Sequence, residues 1–159
     1  MAGFRDYYDA GAYSATGGGE YASAFGYMAN AWGTQSVAMG NLANASGHQS
    51  TAVGSQAQAT ATHASAFGFD AVASGYQSTA TGAGARATEY NATATGFTAQ
   101  AYGVSSTATG AGAMTLGTYA TATGYLANAA AQGATATGAG ANAQGSYSTA
   151  TGYLATASG

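Results

Sequence analysis

The heptapeptide TATGAGA occupies residues 79–85 and returns unchanged at 107–113 and 135–141, an echo of 28 residues. It belongs to a finer repeat, because every seventh residue from 19 to 159 is glycine in 18 of 21 cases. The exceptions are Ala61, Glu89 and Ala131. Alanine stands two residues earlier in 19 of the 20 cases from Ala24 to Ala157, with Thr115 as the exception, and alanine or serine stands four residues earlier in every case from Ala22 to Ala155. The unit is therefore A/S-x-A-x-G-x-x, and no insertion or deletion breaks it.

Alternate units differ, so the true period is fourteen residues. One glycine series has no exceptions: Gly26, Gly40, Gly54, Gly68, Gly82, Gly96, Gly110, Gly124, Gly138 and Gly152. The three losses of glycine all fall in the other series. The serine variants of the small position all precede the first series: Ser36, Ser50, Ser78, Ser106 and Ser148. We predict that one coil of fourteen residues contains two strands and two corners, with the ten glycines as structural turns.

Small residues that alternate along the chain have the period of a β-strand. One face of such a strand carries only methyl and hydroxyl groups, so two of these faces can enclose a narrow interior. The residues between them then point outward, and glycine suits the corners because it reaches backbone angles that strain other residues. Coils stacked at ~4.8 Å pair each strand with its equivalents above and below. The sequence predicts an all-β parallel β-solenoid of about ten coils over residues 19–159.

Three other structures fit the sequence less well. An alanine-rich helix would lose about 1 kcal/mol at each glycine and would have no apolar stripe. Disorder conflicts with the strict register, with 11% aromatic residues and with only 4% charged residues. Collagen has a three-residue period and is rich in proline, which this chain lacks.

The composition also excludes several classes of function. The net charge is −3, and Arg5 and Arg86 are the only basic residues, so a nucleic-acid surface is not expected. No apolar run approaches the ~18–20 residues of a membrane span. Residues 1–13 lack the apolar stretch of a signal peptide, so we expect any export signal and anchor to lie outside this chain. Serines face the interior and no nucleophile–base–acid set is visible, so no enzyme activity and no cofactor are expected.

The segments SVAMG (residues 36–40) and STAVG (50–54) resemble the SVAIG-type repeats of YadA-like trimeric autotransporter adhesin heads. The resemblance covers about residues 20–159. It implies a left-handed β-roll, three chains side by side, at the tip of a stalk on the bacterial surface, binding host matrix or cells. Similar repeats could also build a phage fibre.

The same resemblance places large apolar residues, three and one before glycine, on the face toward the trimer axis. The trimer-face candidates are Phe25, Val37, Met39, Val53 and Phe67. From the fifth coil onward these positions hold threonine instead, which departs from the family's pattern. These binding-face candidates are Thr79, Thr81, Thr93, Thr95, Thr107, Thr109, Thr121, Thr123, Thr135, Thr137, Thr149 and Thr151.

Three hypotheses of function follow. The first is a non-enzymatic adhesin head or fibre segment, assembled as a homotrimer and displayed extracellularly on a cell or virus surface. The second is an ice-binding protein, because the threonine grid resembles the TxT face of ice-binding β-solenoids. The third is a structural filament subunit whose coil ends stack on one another.

The corners and the N-terminus carry the remaining candidates. One line of corner residues is expected to form an amide ladder along the rod: Gln35, Gln49, His63, Gln77 and Asn91. His48 and His63 lie on adjacent coils but lack a third metal ligand, so no metal site is expected. Arg86 and Glu89 are predicted to pair at the surface. Residues 1–18 stand outside the repeat and are predicted to form an N-terminal cap or irregular lead-in.

Overall fold

The computed structural model describes residues 15–159, and these residues form a parallel β-solenoid without a helix. Each coil contributes one strand of three residues and one of two. The three-residue strands form a ten-stranded sheet: β2 (Ser23–Phe25), β4 (Val37–Met39), β6 (Thr51–Val53), β8 (Ser65–Phe67), β10 (Thr79–Thr81), β12 (Thr93–Thr95), β14 (Thr107–Thr109), β16 (Thr121–Thr123), β18 (Thr135–Thr137) and β20 (Thr149–Thr151).

The two-residue strands form the opposite, eleven-stranded sheet. Its members are β1 (Thr16–Gly17), β3 (Asn30–Ala31), β5 (Asn44–Ala45), β7 (Gln58–Ala59), β9 (Val72–Ala73), β11 (Arg86–Ala87), β13 (Gln100–Ala101), β15 (Met114–Thr115), β17 (Asn128–Ala129), β19 (Asn142–Ala143) and β21 (Thr156–Ala157). All strand pairs are parallel.

Strand pairing confirms the fourteen-residue coil. Each strand pairs with the equivalent strand of the next coil, so that Ala80 stands opposite Ala94 and Ala94 opposite Ala108. Thr16–Gly17, the first strand of the described residues, pairs with Asn30–Ala31 and lies inside the segment predicted as a cap. The rest of that predicted cap, residues 1–14, lies outside the described residues.

The interior is built almost entirely of alanine. Within residues 15–159, 33 alanines are buried, and most of them are fully inaccessible to solvent. The largest fully buried side chain there is Thr115, the exception at the alanine position, and its hydroxyl donates to Ser106 Oγ over 2.7 Å. This hydrogen bond crosses the interior from β15 to the residue that precedes β14, so the interior is as narrow as the sequence predicts.

Ser106 differs from its equivalents in other coils, and this difference gives a testable prediction. Ser106 Oγ also accepts from the N–H of Gly103 over 3.2 Å, whereas the buried hydroxyls of Ser36, Ser50 and Ser78 have no partner. We expect Ser106→Ala to lower the free energy of unfolding by about 1–3 kcal/mol, because it leaves the Thr115 hydroxyl buried and unpaired. The measurement is urea denaturation followed by circular dichroism.

The matched control is Ser50→Ala, which removes a buried hydroxyl that has no partner. We expect that variant to be as stable as the parent or slightly more stable, because a desolvated unpaired polar group is lost. If both variants lost the same free energy of unfolding, the Ser106–Thr115 hydrogen bond would not contribute to stability as we expect.

The ten glycines without exceptions are required by backbone conformation. Their φ values lie between +126° and +135°, a region that residues with a Cβ rarely adopt. Each begins a turn in which its carbonyl accepts from the N–H three residues later, as Gly96 accepts from Ala99 over 3.2 Å. This explains why the series tolerates no replacement.

The other glycine series serves a different purpose. Gly33, Gly47 and their equivalents do not have positive φ, so the backbone-angle argument does not apply to them. Instead, a Cβ on Gly33 would meet the carbonyl group of Gly47 in the next coil. Close stacking therefore favours glycine here, and normal φ explains why Ala61, Glu89 and Ala131 occur in this series alone.

Positive φ also occurs where glycine is rare, and the repeat did not predict it. The second residue after each corner glycine or its replacement has φ between +50° and +67°, and at sixteen of these corners it is not glycine. Its N–H is bonded to the preceding coil, as Leu42 donates to the carbonyl of Tyr27 over 2.8 Å. We attribute the tolerance of this conformation to the hydrogen bonds between coils.

Candidate functional site

The outer face of the ten-stranded sheet changes character along the rod. The three-residue strands bury their central alanine and turn their first and third side chains outward. In the first four coils this face includes Phe25, Met39 and Phe67, each at least 40% exposed. Val37 and Val53 are half-buried on the same face. The structure therefore brings the five predicted trimer-face residues together on one exposed apolar area at the N-terminal end of the stack.

From the fifth coil onward the same face is a grid of threonine. Parallel register aligns two columns over six coils, so that Thr79 pairs with Thr93 and Thr81 with Thr95. The pairing continues without a slip to Thr149 and Thr151. In each strand the third threonine is exposed, while the first is half-buried except at Thr149, which is exposed. The grid presents regularly spaced hydroxyl and methyl groups, with no charged side chain among them.

The opposite sheet is chemically irregular and contains one correction to the sequence analysis. The predicted Arg86–Glu89 pair is wrong, because Arg86 Nη2 lies 3.3 Å from Asp70 Oδ2 instead. Arg86 and Asp70 are sixteen residues apart, so stacking brings them together on neighbouring coils. Both side chains are more than a third exposed, so this pair contributes little to stability.

The predicted amide ladder forms over three coils. Gln49 Nε2 donates to Gln35 Oε1, and His63 Nε2 lies 2.7 Å from Gln49 Oε1. The side chains of Gln77 and Asn91 do not continue these hydrogen bonds within the described part of the chain.

A row of rings lies beside the amide ladder, on the neighbouring line of corner residues, and meets it at His63; the sequence analysis did not recognise this row. The His63 ring packs at a steep angle, in a T-shaped arrangement, against the rings of His48 and Tyr76. The ring centroids are 6.0 Å and 5.6 Å apart, respectively. Tyr76 and Tyr90 are stacked 5.2 Å apart with 12° between their planes. The signal was present, because both tyrosines directly follow a repeat position and are fourteen residues apart.

Within residues 15–159 no three histidine, aspartate or glutamate side chains are grouped so that they could hold a metal ion. No helix of sufficient length and apolarity to cross a membrane is found in that range.

A comparison with known protein families gives a match over most of the solenoid. The family model described as the YadA head domain repeat matches residues 18–43, 45–71, 59–85, 87–113 and 116–141. These matches together span well over half of the chain. A search of curated protein sequences finds no significant match.

Proposed function

The chain belongs to the YadA head family, and we propose that it acts as a non-enzymatic adhesin head or fibre segment on a cell or virus surface. The observation that carries this proposal is the uninterrupted stack of coils, in which each three-residue strand turns its first and third side chains outward. A rod of ten coils is on the order of 50 Å long at ~4.8 Å per coil. Such a scaffold holds many outward residues at fixed distances from one another.

We further propose that three chains assemble through the outer face of the ten-stranded sheet. The support is the exposed apolar area formed by Phe25, Val37, Met39, Val53 and Phe67, since soluble monomers rarely expose such areas without a partner. The threonine columns would continue the same contact along the rod, because their methyl groups can pack while their hydroxyls bond across the interface.

Attachment would then depend on multivalency. Three parallel rods present three copies of the same outward surface, with successive residues one coil apart, so a long host-matrix or cell-surface ligand can meet several weak contacts at once. Once one contact forms, the others have a high effective concentration. Strong binding would require neither a deep pocket nor a cofactor.

Sedimentation equilibrium tests the assembly. We expect a trimer for the parent chain and a monomer for Phe67→Asp, because the variant places a charge inside the proposed contact, where the apolar area meets the threonine columns. Leu116→Asp is the control, since Leu116 is similarly exposed (48%) on the opposite sheet, and we expect that variant to remain trimeric. A parent chain that sediments as a monomer would contradict the trimer.

The threonine grid supports a second candidate function, ice binding. Two columns of identical side chains over six coils form an array of about 4.8 by 6.7 Å, suited to a ligand that is itself periodic. This function predicts a monomer that shows thermal hysteresis, lost in the double variant Thr109→Tyr with Thr123→Tyr. Thr60→Tyr on the other sheet should leave the hysteresis unchanged. A trimer without hysteresis would exclude this candidate.

A further inference from the structure

The first residues after the ten exceptionless glycines form one line along the rod, which we name the corner ridge. It consists of Tyr27, Asn41, Ser55, Phe69, Ala83, Phe97, Ala111, Tyr125, Ala139 and Tyr153. From Phe69 onward an aromatic residue and an alanine alternate without a break. The aromatic side chains are strongly exposed: 58% for Phe69, 65% for Phe97 and 62% for Tyr125.

This alternation prevents the rings from pairing within one chain. Two coils separate successive rings, a distance of about 9.6 Å along the rod. Favourable aromatic pairs have centroids ~4.5–7 Å apart. Within the described residues no ring of the corner ridge contacts another ring, whereas Tyr76 and Tyr90, one coil apart at the other corner, stack at 5.2 Å.

The gaps between the rings are apolar and almost uncharged. Each alanine gap is followed by a glycine, and the Cδ2 atoms of Leu126 and Leu154 occupy the space that a Cβ on Gly112 or Gly140 would need. From Phe69 to Leu154 the only charged residue in these corners is Asp70, which is paired with Arg86. Two such ridges can therefore approach one another without like-charge repulsion.

We propose that the corner ridges of two copies of this chain interdigitate, with the rings of one copy inserted into the alanine gaps of the other. An inserted ring would lie about 4.8 Å from the ring on each side, within the favourable range for aromatic pairs. In an antiparallel arrangement whose two-fold axis passes between the coils of Phe97 and Ala111, a ring of the partner enters every alanine gap. Phe97 then faces the partner's Ala111, Phe69 faces the partner's Ala139, and Tyr125 faces the partner's Ala83.

This association is distinct from the proposed trimer. A two-fold contact is closed, because the same surface is used by both partners. It uses the corner and not the outer face of the ten-stranded sheet, so it could join single chains or chains of two trimers. Loss of the trimer in Phe67→Asp and loss of the ridge contact are therefore separate results.

Disulfide trapping tests the proposal directly, since the chain has no native cysteine. An equal mixture of the Phe97→Cys and Ala111→Cys variants should give several-fold more linked dimer than either variant alone, because the mixed pair places the two sulfurs directly opposite, whereas a single variant offsets them by one coil, about 4.8 Å. The mixture of Ala83→Cys with Tyr125→Cys should link equally well. The proposal fails if single variants link as efficiently as the mixtures, or if Ala83→Cys links to Phe97→Cys in place of Tyr125→Cys.

A gap-filling variant provides a second test that does not disturb the coil interior. Replacing Ala83, Ala111 and Ala139 with phenylalanine puts a ring on every coil, and the Tyr76–Tyr90 stack shows that the coil spacing accommodates this. We expect an unchanged circular dichroism spectrum and loss of the concentration-dependent rise in sedimentation coefficient. Val104→Phe, which extends the ring row at the other corner, is the control and should keep that rise. Unchanged association in the gap-filled variant would overturn the proposal.

Discussion

Replacing Ala94 with leucine should unfold the coils around it and lower the free energy of unfolding by at least about 3 kcal/mol. Ala94 is fully buried in β12, between Ala80 and Ala108 of the neighbouring coils. The opposite wall is also alanine, and the two walls are close enough for Thr115 and Ser106 to share a hydrogen bond. Three additional carbon atoms have no space there unless the sheets separate.

Thr95→Leu is the matched control, because it puts the same side chain on the adjacent residue, whose own side chain is exposed. We expect its unfolding midpoint to stay close to that of the parent. Thermal unfolding monitored by circular dichroism compares the two variants. If Ala94→Leu were as stable as Thr95→Leu, the interior could not be the narrow alanine-lined space that the structure shows.

Gly96→Ala should cost about 3 kcal/mol or more, because it combines backbone strain with a collision. Gly96 has φ of +134°, and a Cβ built there would lie 2.6 Å from the carbonyl oxygen of Gly110. The obstruction is backbone of the next coil, so it cannot rotate away as a flexible side chain would. Relief would require the coils to move apart and their hydrogen bonds to lengthen.

Gly84→Ala separates the two causes. Gly84 also has positive φ, but at +67°, where other corners of this chain hold Gln, Leu and Tyr residues. The nearest atom to its added Cβ is Thr98 Cγ2 at 3.3 Å, on a side chain that can shift. We expect a loss of about 1 kcal/mol. Urea denaturation should give Gly96→Ala a clearly lower free energy of unfolding than Gly84→Ala. The opposite order would contradict the explanation of the turn by strain and collision.

The repeat predicted the coil, its corners and its interior because these depend only on which positions hold small residues. Ala80, Ala94 and Ala108 are buried because alternation assigns them to one face, and stacking follows from the fixed period. The corner conformation was harder to predict. Residues such as Leu42 and Gln49 have positive φ through hydrogen bonds to the preceding coil, and their identities carry no signal of it.

The surface was predicted less completely than the interior, because it depends on neighbours from different coils. Arg86 pairs with Asp70 and not with Glu89, because Asp70 lies at a corner of the preceding coil and stacking brings that corner beside β11. The amide ladder was predicted through Asn91 but ends at His63, where ring contacts replace side-chain hydrogen bonds.

The chain advances by one coil for every fourteen residues, and the distance between two labelled residues several coils apart tests this period. Spin labels on Thr81→Cys and Thr151→Cys, diluted into unlabelled chain, mark the same exposed position five coils apart. Pulsed electron–electron double resonance should give a narrow distribution of distances between the two labels, centred near about 24 Å. A helix would separate the same residues by about 105 Å. A broad distribution centred near about 50 Å, typical of a flexible chain, would equally contradict the solenoid.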